Sequence, residues 1–154
     1  MKLLKHNTMK KLLLCFVAIA TMAAVSCKKE TNPAEDFVGN YTVKTSAHLT
    51  IPVIGNMDQD LDDMDCTIAL KGEEGDVTIT MAGETTTGHV TEAAMTVQPL
   101  VTTQEIMGQP VDITVNFPTI PKPVNGTTSW QSTLTASVSG IAINGTADMT
   151  ATKK

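Results

Sequence analysis

From Phe37 onward the chain alternates apolar and polar residues in short runs broken by Gly, Asn and Pro. Successive side chains of a strand point to opposite faces, so a period of two rich in Thr, Val and Ile predicts strands. In the first strand Tyr41, Val43, Ala47, Leu49 and Ile51 fall on one face, with Thr42, Lys44, Ser46, His48 and Thr50 on the other. Seven more strands are expected at about 65–71, 77–83, 85–91, 94–101, 110–117, 127–138 and 141–152. Nothing in this part of the chain carries the 3.6-residue stripe of an amphipathic helix.

Two hairpins can be read to the residue, because a slip of one position turns every side chain to the wrong face. A turn at Ser139-Gly140 opposes Val138 to Ile141, Ala136 to Ile143, Leu134 to Gly145 and Trp130 to Met149, all in one apolar phase. Local turn rules favour Asn144-Gly145 instead. That turn would set Ile143 against Thr146 and Ile141 against Asp148, so the first register is preferred and Gly145 becomes a kink or bulge within the last strand. The second hairpin turns at Glu73-Glu74 and pairs Leu70 with Val77, Ile68 with Ile79 and Cys66 with Met81 on the inside.

Antiparallel strands with one apolar face each close into a barrel or stack as two sheets. A long last strand with a glycine at its middle suits a bent barrel wall. The expected fold is therefore an all-β, eight-stranded antiparallel barrel over residues 37–154, with a β-sandwich as the alternative. Residues 27–36, polar and containing Pro33, read as a tether.

The segment before this follows other rules. Lys2, Lys5, Lys10 and Lys11 precede an uncharged, mostly apolar run from Leu12 to Val25. A membrane-spanning helix needs about 20 such residues, so the run has the length of a signal-peptide core instead. Residues 1–26 are read as that signal. Ala24-Val25-Ser26-Cys27 resembles the bacterial lipobox, with Ala24 where Leu is usual. The resemblance implies a diacylglycerol thioether on Cys27, cleavage before it, and acylation of the new amino terminus. Several acyl chains at ~0.8 kcal/mol per buried CH₂ make a durable anchor. Lys28 follows the cysteine, so the aspartate that retains some lipoproteins at the inner membrane is absent.

Removing the signal sharpens the charge. Seven lysines, no arginine and sixteen acidic groups remain, a net charge of −9. Nucleic-acid binding requires cations that displace phosphate counterions, so that class of partner is excluded. Cys15 leaves with the signal and Cys27 carries lipid, which leaves Cys66 alone and no internal disulfide. Cys66 falls in phase with apolar neighbours and reads as a small buried hydrophobe.

Two short stretches resemble a known group. Phe37-Val38-Gly39-Asn40-Tyr41 opens the first strand much as Gly-x-Trp opens a lipocalin, with Tyr41 for Trp. The stretch from Ser139 to Met149 resembles the closing hairpin strand of calycin-like proteins. Together with the Cys27-Lys28-Lys29-Glu30 start, the chain resembles the calycin-like or lipocalin-like lipoproteins of Bacteroidetes. The arginine that covers the lipocalin tryptophan has no counterpart. The resemblance implies a barrel, an outer-membrane anchor facing the periplasm or the cell surface, and a small apolar or lipid ligand. Tyr41, Met81, Phe117, Trp130 and Met149 are the candidate lining of such a site, with Met95 and Met107 adding flexible bulk. The rival expectation is a module whose loops or sheet edge meet a protein or glycan.

Other chemistry is thin. Asp58, Asp60 and Asp62 alternate within the acidic run 56–65 and are the one weak Ca²⁺ candidate. An EF-hand loop starting at Asp58 would need Gly at Asp63 and Glu at Ala69, so the run reads as a solvated acidic loop. His48 and His89 have no spaced zinc partners, and no Gly-x-Ser-x-Gly elbow marks a nucleophile. No cofactor and no enzymatic activity are expected.

Overall fold

The computed structural model describes residues 31–154 except 73 and 107. Residues 1–26, read above as a signal, and Cys27 lie outside the described residues, as does Met107.

The described chain is all-β, with ten antiparallel strands. They are β1 (Gly39–Ile51), β2 (Gly55–Leu70), β3 (Asp76–Met81), β4 (Glu84–Val90), β5 (Ala94–Val97), β6 (Leu100–Ile106), β7 (Gln109–Asn116), β8 (Ile120–Pro121), β9 (Thr127–Val138) and β10 (Ile141–Lys153). They form one curled sheet in the order β6-β7-β9-β10-β1-β2-β3-β4-β5-β8. A single continuous sheet is a half-barrel, not the stacked pair of a sandwich.

Ten strands replace the expected eight for two local reasons. Pro99 has no N–H to give a ladder, so the run 94–101 splits into β5 and the start of β6. The two-residue β8 pairs Ile120 with Met95 and Pro121 with Ala94, too short a pairing to leave a pattern in the sequence. A third correction lengthens a strand. The acidic run is not a loop: it forms the first part of β2, paired with β1 from Ile51–Gly55 to Thr45–Leu61, with a bulge before Val43–Met64.

Both hairpins adopt the register read from the sequence. Val138–Ile141, Ala136–Ile143, Leu134–Gly145 and Trp130–Met149 are partners in one. Leu70–Val77, Ile68–Ile79 and Cys66–Met81 are partners in the other. Leu70 departs from the expected interior and is half exposed. Gly145 does not mark a bulge. A Cβ there would collide with the His48 carbonyl and the Leu49 side chain, so glycine permits the close approach of β1 and β10.

The main core lies at the end where the chain enters. Tyr41, Val43, Ile68, Val77, Ile79, Met81, Val90 and Met149 are buried there. The entry segment is already packed before Phe37. Pro33–Asp36 form a 3₁₀ turn with Ala34 buried, and the Asn32 side chain accepts from the N–H groups of Ala34 and Gly75 at 3.0 and 3.3 Å. The segment expected to be tether through Asp36 thus becomes part of the domain at Asn32. The Tyr41 hydroxyl donates to the Phe37 carbonyl at 2.7 Å, and Lys153 Nζ lies 6.0 Å from its ring centroid. On the far side of the core β8 meets the start of β9, where Thr128 Oγ1 donates to the Pro121 carbonyl at 2.8 Å.

The opposite end is built differently. There β3, β4, β5 and β8 are absent, and only β6-β7-β9-β10-β1-β2 continue. Ala47, Ile51, Val111 and Ile143 are buried at this end, apart from the main cluster.

Gly145→Ala is expected to destabilise the domain by about 1–3 kcal/mol, the usual cost of overpacking. Urea unfolding of the variant beside the wild type measures it.

Candidate functional site

Three features of the described chain carry possible function: an interior apolar space, a polar cluster on the outer face, and a free sheet edge.

The interior space follows from alternation. Inward residues of β1, β2, β3 and β9 converge with Phe37 and the β7–β8 connection on an apolar cavity of about 30 Å³. Four of the five expected lining residues meet there: Tyr41, Met81, Phe117 and Trp130. Met149 lies in the same buried cluster but not in the lining, and its sulfur is 3.6 Å from Ser132 Oγ. That hydroxyl in turn accepts from Trp130 Nε1 at 3.1 Å. One water-sized probe occupies roughly 10–15 Å³, and ligand pockets run to about 300–1,000 Å³. The space is therefore about a tenth of the smallest such pocket. Its wall includes Cys66, whose thiol is pushed up to about 11 by burial. A thiol so far from ionising is a packing group and not a nucleophile.

The outer face of β1 meets polar partners on both sides. Ser46 Oγ donates to Asp60, and Thr50 Oγ1 donates to Asn56 Oδ1 at 3.1 Å. Between them His48 reaches Asp58 through Nδ1 at 2.9 Å and Asp148 through Nε2 at 3.2 Å. Gln131 Nε2 also donates to Asp148 at 2.8 Å. The hydrogen bond to Asp58 is the largest cause holding the His48 pKa above its ordinary 6.5; desolvation, the next largest, works against it, and Asp148 adds a smaller rise. Asp58 and Asp60 are thus engaged by β1. No group of three His, Cys, Asp or Glu among the described residues is placed to hold a metal ion. His89 is engaged elsewhere, with Nδ1 at 2.7 Å from Asp76.

The free edge went unread in the sequence. β3 covers β2 only from Cys66 to Leu70. Among the described residues Gly55–Met64 therefore pairs with β1 alone, leaving its other edge without a ladder for about 33 Å at 3.3 Å per residue. Its alternation is clear in hindsight. Met57, Gln59 and Leu61 oppose the inward residues Leu49, Ala47 and Thr45, while Asp58 and Asp60 oppose the outward His48 and Ser46. Met57 and Leu61 are 40% and 41% exposed although they stand on the face that is buried elsewhere. Beside them the hairpin tip presents Val53 fully exposed and Ile54 largely so. Val53 has φ 80°, an uncommon conformation for a β-branched residue.

No protein-family profile, no curated protein and no solved structure matches the chain.

Two expectations follow. Cys66 should resist a thiol reagent such as Ellman's in the folded protein and react fully after denaturation. The His48 imidazole should titrate above 6.5 by NMR, with Asp58→Asn moving it down. A raised folded pKa stabilises the protonated fold. The loss of stability in His48→Gln should therefore be largest below pH 6.5 and fade as the pH rises through the folded value.

Proposed function

We propose that the chain is a lipid-anchored protein of the bacterial cell envelope that holds a partner protein along the open edge of its sheet. The signal-like segment, the lipobox-like residues and Cys27 support the anchor, and Lys28 favours the outer membrane. The observation that carries the binding role is the unpaired edge at Gly55–Met64, with Met57 and Leu61 exposed on the inward face. Unpaired backbone groups along a strand template another strand. No chemistry on the partner is involved.

A second reading keeps a small apolar molecule or lipid in the interior. The convergence of Tyr41, Met81, Phe117 and Trp130 on an unfilled apolar space favours it. It requires the sheet to open well beyond about 30 Å³. Native mass spectrometry of protein purified without detergent separates the two, since only this reading expects a co-purifying small molecule.

The edge reading is tested in intact cells with a photo-cross-linking amino acid at position 57, 59 or 61, and at outward position 133 on β9 as the control. The expected result is one adduct of the same mass from the three edge positions and none from the control. Adducts independent of position, or none at all, would contradict it. The anchor is tested in parallel by labelling with a fatty-acid analogue, expected on the wild type and lost in Cys27→Ser.

A further inference from the structure

We propose that the partner enters as an extended strand that alternates apolar and cationic residues and adds to β2 beside Gly55–Met64. This inference rests on the edge reading above and gives the partner its chemistry.

The first argument is the pleat. An added strand continues the two faces of its neighbour, so alternate side chains stand beside Met57, Gln59 and Leu61 and the others beside Asp58 and Asp60. The inward positions offer exposed apolar surface, so apolar side chains gain there. The outward positions offer carboxylates, so lysine or arginine gains and acidic residues are repelled.

The second argument is the charge balance on the strand. Asp58 shares His48, and Asp65 pairs with Lys154 at 2.6 Å. No salt bridge among the described residues reaches Asp60, Asp62 or Asp63. The bulge where β1 passes from Val43 to Thr45 puts Asp62 and Asp63 together in the gap between Leu61 and Met64. The strand thus reaches its free edge with unneutralised negative charge, which an incoming cation would meet.

The third argument excludes the nearest competitor. A second copy could offer the same edge, carrying the same aspartates, or the free edge of β6, whose residues Leu100–Ile106 include Glu105 and no cation. Two such edges would set like charges opposite each other, which is destabilising. Charged edges protect native sheets from self-pairing in this way. Here the protection is selective, because it leaves the edge open to a strand of opposite sign.

The test uses the full-length protein and three ten-residue peptides. One alternates Val and Lys, one alternates Val and Glu, and the third is the Val/Lys peptide N-methylated along one edge. The Val/Lys peptide is expected to bind about tenfold or more tighter than the Val/Glu peptide at low salt, with the margin shrinking as ionic strength rises. It should slow hydrogen exchange at backbone amides within 55–64. N-methylation should abolish binding, since it blocks the ladder and leaves the charge. The double variant Asp62→Lys with Asp63→Lys, which alters no hydrogen-bonded pair described above, should reduce or reverse the preference. Equal affinity for the two charged peptides, protection elsewhere, or undiminished binding after N-methylation would overturn the proposal. Positional cross-linking in cells with no preference for the cationic peptide would leave the edge as a docking site and refute only the cationic strand.

Discussion

The pairing of β1 with β2 is the constraint from which the rest of the domain follows. β1 is thirteen residues long and is flanked on both edges, by β10 and β2. Its inner face buries Tyr41, Val43 and Ala47, which ties the main core to the open end. Its outer face satisfies β2 through Ser46–Asp60, His48–Asp58 and Thr50–Asn56. Aspartate is depleted from strands, and a run of it would ordinarily be loop. Here each outward side chain from 46 to 50 finds a polar partner directly opposite, and the acidic run becomes sheet. β10 supports the arrangement from the other side through Asp148 and the close approach at Gly145.

The two ends of the half-barrel then have different properties. At the entry end the sheet curls until β8 meets β9 and the core is close to filled, with only about 30 Å³ left over. At the other end the sheet stops at β2 on one side and β6 on the other. Inward residues buried at the entry end have exposed counterparts here, notably Met57 and Leu61. Exposed apolar side chains at this end, Met57 and Leu61, therefore line the margin of the sheet.

Much of the fold was legible in the sequence, for a physical reason. Where one face is buried, a register slip exposes the whole apolar set, so the partners of Leu134, Ala136, Cys66 and Ile68 follow from phase alone. Phase places Tyr41, Met81 and Trp130 inward at one cavity, joined by Phe117 from the β7–β8 connection, but it does not give the size, which depends on how tightly side chains from different strands interlock. Phase was silent where burial is weak. Gly55–Met64 is largely exposed on both faces, so composition outweighed its alternation. The division at Pro99 and the two residues of β8 depend on neighbours distant in the chain, and local pattern does not encode them. Leu70 kept its register but not its burial, because it stands where β2 ends.

The central claim is that Gly55–Met64 is a strand with one paired and one free edge, and amide hydrogen exchange of the protein without a partner addresses it most directly. In an antiparallel ladder alternate N–H groups point to opposite neighbours. The account predicts an alternating pattern through 55–64, with amides facing β1 protected and those between them exchanging fast. Uniform protection would mean that the edge is already occupied. Uniform fast exchange would mean that the segment is not a strand. Either result would contradict the account.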